Sequence, residues 1–209
     1  MREFINIEPF YPDFLQSDNY VIFKKIYTNV EDASNVKFNQ SLNFMQFPNQ
    51  ISLNTKYITL LHINSNKAMM SNHESETKTN QKFLDAAKGD VLIFGLGIGL
   101  IVFPLLQEKD IKSITIIEID SGLINMISPI IKEKDIYSKV EIINCDAFEY
   151  HNLINKNYDT IYFDIWAIID DNSFDEMEKL DSLYKKNLKE GGWIDSWCSE
   201  EKSIIKNNK

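Results

Sequence analysis

Two patterns of apolar positions divide the chain. From residue 89 onward, short unbroken apolar runs alternate with stretches of helical spacing. Val91-Leu92-Ile93-Phe94 is one such run, set between Gly89 and Gly95, and a strand buried on both faces reads this way. Further strands are predicted over 113–118, 140–144, 160–164 and 193–197. Between them the spacing predicts a helix from the glycines after Phe94 to about residue 108, and another over 122–133. A third, amphipathic helix is predicted over 173–188, closed by Gly191-Gly192. Strands and helices alternating at these lengths imply a parallel sheet with helices on both faces. The predicted class is α/β, doubly wound.

Residues 1–70 read differently. They are rich in Asn and in aromatics, with Phe10, Tyr11, Phe14, Tyr20, Phe23 and Tyr27 followed by Phe38, Phe44 and Phe47. Short β-like pieces at 20–27, 56–63 and 67–70 are separated by Asn-rich breaks and Pro48, which predicts hairpins. Residues 74–87 hold few breakers and read as a helix, with Thr77 or Thr79 as its cap. The expected organisation is a β-rich extension over 1–70 and an α/β domain over 71–209. The polar tail, 200–209, reads as frayed or a short helix.

Composition narrows the class without choosing a function. Of 209 residues, 44% are hydrophobic and 25% charged, as in ordinary globular proteins, so a disordered chain is excluded. Cys145 and Cys198 build no disulfide framework, and with three scattered histidines they make no zinc site. Both cysteines are expected to be reduced and buried in a cytoplasmic protein. The apolar run over 91–106 contains three glycines and a proline and is too short to span a bilayer, so no membrane association is expected. Nor does the N-terminus carry a signal-peptide pattern. The net charge is −9, and residues 91–209 hold 13 Lys/Arg against 21 Asp/Glu. Nucleic-acid binding rests on neutralising phosphates, so so acidic a domain argues against it. A cationic small molecule or a basic protein remains compatible.

The candidate chemistry lies at strand ends. Gly95-Leu96-Gly97-Ile98-Gly99 falls between the first buried strand and the segment after it. Glycines suit a sharp turn that a ligand approaches closely, and Leu100 stands where a dinucleotide fingerprint has its third glycine. Glu118 ends the next strand, where a carboxylate can accept from both hydroxyls of a ribose. Asp146, followed by Ala147, and Asp164 end the next two strands. Gly95, Glu118, Asp146 and Asp164 are thus expected along one edge of the sheet, as a nucleoside site.

With these residues in place the sequence resembles the class I S-adenosylmethionine-dependent methyltransferases, and more closely their spermidine-synthase-like branch. VLIFGLGIG, IIEID, NCDAF and YDTIYFDIW look like the four successive motifs of that class. A group of small methyltransferase-like proteins of phages and bacteria is similar in further features. These are Met70-Ser71 with Glu76, Asp164-Ile165-Trp166, and Trp193 with Trp197. The resemblance covers about residues 69–198. It implies that Gly95, Gly97 and Gly99 approach the methionine part of S-adenosylmethionine. Glu118 would bind the ribose, Ile119 would lie against adenine, and Asp146 with Ala147 would meet the adenine amino group. Asp164 would stand near the sulfonium and the substrate.

Departures from the pattern order the functional expectations. Spermidine synthases follow the fourth-strand aspartate with small polar residues and a second Asp-Pro, whereas this chain has Ile165-Trp166-Ala167. The D/N-P-P-Y/F strand end of DNA amino-methyltransferases is absent as well. Methyl transfer to a small molecule or protein is therefore the leading expectation, with polyamine aminopropyl transfer as the alternative. A non-catalytic nucleoside-binding or assembly protein comes third, and a nicotinamide enzyme last. With 11 residues after Cys198, the sheet is expected to stop at five strands. The N-terminal segment or a second copy of the chain would then cover its edge.

Several other residues carry competing readings. Trp166 is either a stacking platform for a substrate or a rim aromatic packed on the last strand. Glu76 is a candidate catalytic carboxylate or an ordinary first-turn acid. His73 is a weaker candidate base, and His62, His73 and His151 are expected on the surface or in loops. Asp164, Asp170, Asp171, Asp175, Glu176, Glu178 and Asp181 face only Lys179. They read first as a solvated helix start and second as a funnel for a polyamine. Cys145 reads as an inert strand-end thiol.

Overall fold

The computed structural model describes residues 1–28, 54–167 and 169–201. Expectations that rest on Phe38, Phe44, Phe47, Pro48 and the tail over 202–209 lie outside these residues. Two sheets organise the described chain. Strands β1 (Phe14–Gln16), β2 (Tyr20–Ile26), β3 (Lys56–His62) and β4 (Lys67–Ser71) form an antiparallel sheet in the order β1-β2-β3-β4. Strands β5 (Gly89–Phe94), β6 (Ile111–Glu118), β7 (Val140–Asn144), β8 (Tyr158–Phe163) and β9 (Leu188–Ser196) form a parallel sheet in the order β7-β6-β5-β8-β9. Four helices accompany them: α1 (Glu74–Ala86), α2 (Phe103–Leu106), α3 (Ser121–Lys134) and α4 (Asp171–Tyr184).

Strand β5 shows why the apolar runs become central strands. Val91 and Ile93 join a core with Phe83 and Leu84 of α1 and Ile127 and Ile131 of α3. Leu92 and Phe94 point the other way, into a core with Leu180 and Tyr184 of α4. Both faces of the strand are covered, so no position needs a polar side chain. Phe94 stands level with Ile117 of β6 and Phe163 of β8. The strand order reverses between β5 and β8, and this opens a crevice at their carboxyl ends.

The N-terminal sheet is fastened onto that end of the molecule. The Tyr11 hydroxyl donates to the Ile98 carbonyl at 2.6 Å, and Phe10 packs edge-on against Phe103. The Asn19 amide donates to an Asp120 carboxylate oxygen at 2.8 Å. Helix α1 links the two sheets: Phe83 stacks on Tyr162 at 4.3 Å, and the Tyr162 hydroxyl donates to Asn80 at 2.9 Å.

Several local expectations fail. The segment after the glycines forms successive turns, and only Phe103–Leu106 is helical. Its residues from Ile98 to Leu106 are all apolar and buried, so the core holds the segment on every side and no amphipathic face directs a longer helix. Gly191-Gly192 does not close α4. It lies inside β9, where the pairing jumps from Tyr158–Leu188 to Thr160–Trp193, and a short 3-10 turn over Lys185–Asn187 ends the helix instead. Neither Thr77 nor Thr79 caps α1, whose cap position is His73. Both threonine hydroxyls donate backward, to the carbonyls of Glu74 and Glu76. Strand β1 was not expected, being three residues long and without alternation. Cys145 and Cys198 are half-buried rather than fully so. No helix among the described residues is long and apolar enough to cross a membrane.

Candidate functional site

A cavity of about 330 Å³ lies over the carboxyl ends of β5, β6, β7 and β8. That is enough room for part or most of a small ligand. Gly95, Gly97, Glu118, Ile119, Asp146, Ala147, Asp164, Trp166 and Glu76 all line it. Gly99 does not. It turns the backbone behind the cavity, and a Cβ there would press on Phe103.

Glu118 is buried at the end of β6 and is held by the backbone on both sides. One carboxylate oxygen accepts from the Leu96 N–H at 2.9 Å and the other from the Asp120 N–H at 2.9 Å. Burial raises its pKa, and the amides of Asp120, Leu96 and Ile119 oppose that rise. The Asn144 side chain pins the same strand end, donating to the carbonyls of Glu118 and Ile119. Ile119 is 67% exposed, at the rim, where a flat apolar group can lie against it. Asp146 accepts from the Phe148 N–H at 2.7 Å, and the Ala147 carbonyl accepts from the Tyr184 hydroxyl at 2.5 Å. The loop after β7 is therefore fixed before any ligand arrives.

Asp164 and Glu76 approach the cavity from different elements. The Asp164 N–H donates to the Phe94 carbonyl at 2.8 Å, which sets this strand end beside Gly95. Burial pushes the Asp164 carboxyl up to about 7. Glu76, in the first turn of α1, is 6% exposed. Burial, and then the charge of Asp164, push it up to about 8, against a lowering by the Ser71 N–H. Each carboxylate therefore raises the cost of ionising the other, and a bound cation would relieve both. The Trp166 indole N–H donates to Glu176 of α4 at 2.7 Å, which holds the ring at the rim.

Four carboxylates thus border the cavity, from Glu76, Glu118, Asp146 and Asp164, and among the described residues no Lys, Arg or His lines it. His73 is no candidate base. Its ring lies 4.0 Å from that of Tyr57 in a buried aromatic cluster, and burial pushes its pKa down to about 4. It is also not a surface residue, since the β4–α1 link buries it. Asp170 closes a capping box with Ser173 at the start of α4, so this part of the acidic stretch is a helix start. Among the described residues no group of three or more His, Cys, Asp or Glu could hold a metal ion.

Sequence reasoning missed much of the cavity's other wall. Tyr20 of β2, Leu60 of β3 and Met69 and Met70 of β4 come from the N-terminal sheet. Trp197 comes from beyond β9, its indole N–H donating to Thr79 at 3.0 Å. Met70 and Trp197 were visible only as parts of a resemblance. Tyr20 and Leu60 sit in pieces of β-strand pattern that any hairpin could contain.

Glu118→Gln tests the ribose role. The carboxamide retains one acceptor oxygen, so one backbone N–H or one ligand hydroxyl loses a charged partner. Nucleoside affinity should fall by about 1–3 kcal/mol, measured by calorimetry on protein shown to be folded. Unchanged affinity would make Glu118 solely a brace for the glycine turn.

Comparison with known proteins agrees with this geometry. The spermine/spermidine synthase domain family matches residues 70–207. A polyamine aminopropyltransferase of Leptospira interrogans is 35% identical over 80 residues, covering 35% of this chain and 16% of that protein. A solved spermidine synthase, in complex with the transition-state analogue AdoDATO, superposes with a TM-score of 0.52 at 18% identity. That match covers 88% of this chain and 56% of the solved one, and at such identity it shows the fold alone. A methyltransferase of Podospora anserina with bound SAH has a TM-score of 0.48 at 17% identity, over 60% of this chain and 53% of that one. The chain therefore spans about one sixth of the curated relative and about half of each solved protein. With its five-stranded parallel sheet and a family match over residues 70–207, the chain belongs to the spermine/spermidine synthase domain family, as a spermidine-synthase-like protein with a Rossmann-like α/β fold.

Proposed function

We propose that the cavity binds decarboxylated S-adenosylmethionine and that the protein transfers its aminopropyl group to an amine. One observation carries this reading: four carboxylates line the cavity, with no basic side chain among its described lining residues. S-adenosylmethionine has a sulfonium, an ammonium and a carboxylate, whereas the decarboxylated form keeps only the two cations. In a partly desolvated site each uncompensated like charge is costly, so the dication is the better match. The family match and the aminopropyltransferase relative support the same choice.

This reverses the order drawn from sequence, where the missing second acid after Asp164 favoured methyl transfer. Glu76 supplies a second carboxyl to the same cavity from α1, so the strand end need not carry it. In the proposed reaction the cofactor supplies an activated carbon on a sulfonium that leaves as a neutral thioether. Asp164 and Glu76 hold the acceptor amine, and an ionised carboxylate of the pair takes a proton from its ammonium, which frees the lone pair that forms the new C–N bond as the C–S bond breaks. Alignment of amine, carbon and sulfur accounts for much of the rate. Trp166, braced by Glu176, shields the reacting groups from water at the rim. The acceptor class is a small aliphatic amine, cationic at neutral pH.

Thermal unfolding tests the choice of cofactor. The decarboxylated form at about 100 times its Kd should stabilise the protein by about 2.7 kcal/mol, which is roughly 5–10 °C for a chain of this size. S-adenosylmethionine at the same concentration should shift it less. An equal or larger shift with S-adenosylmethionine, with methyl transfer to an amine panel, would establish the methyltransferase reading instead.

A further inference from the structure

Conditional on that reading, the structure assigns to Met70 a role as specificity-determining residue: its thioether fills the place over the glycine turn that a ligand carboxylate would need. The glycine turn is an obvious place to receive a carboxylate, through backbone N–H groups. Most of those groups are already engaged. Gly95 N–H donates to the Ile117 carbonyl and Gly99 N–H to the Leu96 carbonyl, while Leu96 N–H donates to Glu118. The Ile98 N–H donates to the Met70 sulfur at 3.2 Å.

A thioether is a weak acceptor, and a carboxylate at the same N–H would make a charge-assisted bond. Met70 therefore covers an amide that would otherwise favour the carboxylated ligand. It also fills the space there. A Cβ built on Gly97 would collide with the Met70 sulfur, so the side chain lies directly on the turn. No helix end compensates, since α2 is four residues long and begins only at Phe103. Strand β4 fixes the position, with Met70 paired to Leu60 of β3. The next residue, Ser71, gives its N–H to Glu76. One short strand thus places an apolar plug against the carboxylate and steadies an acid that favours the amine.

The test is the ratio of dissociation constants for S-adenosylmethionine and its decarboxylated form, measured by calorimetry. Wild-type protein should prefer the decarboxylated form at least tenfold. Met70→Val, which suits a strand, and Met70→Ala should lower that ratio severalfold, mainly by tightening S-adenosylmethionine, while the four carboxylates keep a residual preference. Met70→Leu keeps the volume without the sulfur and should retain most of the preference. The two truncations differ in size, so a failure of one to fold leaves the other to decide. A wild-type preference that survives unchanged in a folded truncation overturns the role of Met70 alone. Wild-type protein that binds both forms equally overturns the aminopropyl reading, and with it any discrimination by Met70.

Discussion

Gly95→Ala should cost about 3 kcal/mol of stability or more, lowering the melting temperature by about 10 °C. Gly95 has φ +95°, where an L side chain is strained, and a Cβ there would run into the backbone oxygen of Asp164. Neither partner can yield cheaply. Gly95 is held by its N–H on Ile117 and Asp164 by its N–H on Phe94, both at 2.8 Å. Any relief must separate β5 from β8 at the carboxyl end, where the cavity lies. Gly191→Ala provides the control: φ is +69°, yet nothing lies within 4 Å of the added carbon. It should cost only about 1–2 kcal/mol, the left-handed penalty alone. Denaturant or thermal unfolding of both variants measures the difference, and equal losses would show that close approach at Gly95 contributes nothing.

The same contrast explains what could be read in the sequence. Val91 to Phe94 announces a strand buried on both faces because every position meets a core, and the acids at the ends of β6 and β8 follow from strand length alone. Gly191-Gly192 misleads because a glycine pair that ends a helix and one that bulges a strand look identical locally. The difference lies in the pairing of Tyr158 and Thr160 with Leu188 and Trp193, residues about thirty positions away. The missing helix after Gly99 has a related cause, since burial on all sides erases the periodicity that would mark any regular element. The cavity was legible where one element supplies it, as at Glu118. It was illegible where Tyr20 and Leu60 enter across the interface between two sheets, and at Met70 only the resemblance gave a sign. Met70 is the sharpest instance, because an apolar residue in a strand carries no sign that its sulfur will meet a backbone amide.

Asp164→Asn should preserve the fold and most of the nucleoside affinity while lowering kcat by on the order of 10²-fold. The amide keeps the shape and one acceptor but cannot take a proton or carry charge toward the amine. An interaction used mainly in the transition state should reduce kcat more than it raises KM. The pH dependence makes the test stricter. Burial raises the folded-state pKa of Asp164 to about 7, above its unfolded value, so the protonated acid favours the folded state. Its contribution is full below about pH 4 and is lost as pH rises through about 7. Ligand-free wild-type protein should therefore lose stability between pH 4 and 8, by on the order of 1–3 kcal/mol from this group. Asp164→Asn should flatten that loss and let Glu76 ionise more readily, since the like charge beside it is gone. Cation binding runs in the opposite direction. It draws the pair toward the ionised form, so wild-type affinity for the decarboxylated cofactor and amine should rise from pH 6 to 8 with proton release, and less in Asp164→Asn. Calorimetry in buffers of different ionisation enthalpy counts those protons. A fully active Asp164→Asn enzyme would move the proton-accepting role to Glu76, and affinity independent of pH in the wild type would remove the carboxyl pair from ligand binding altogether.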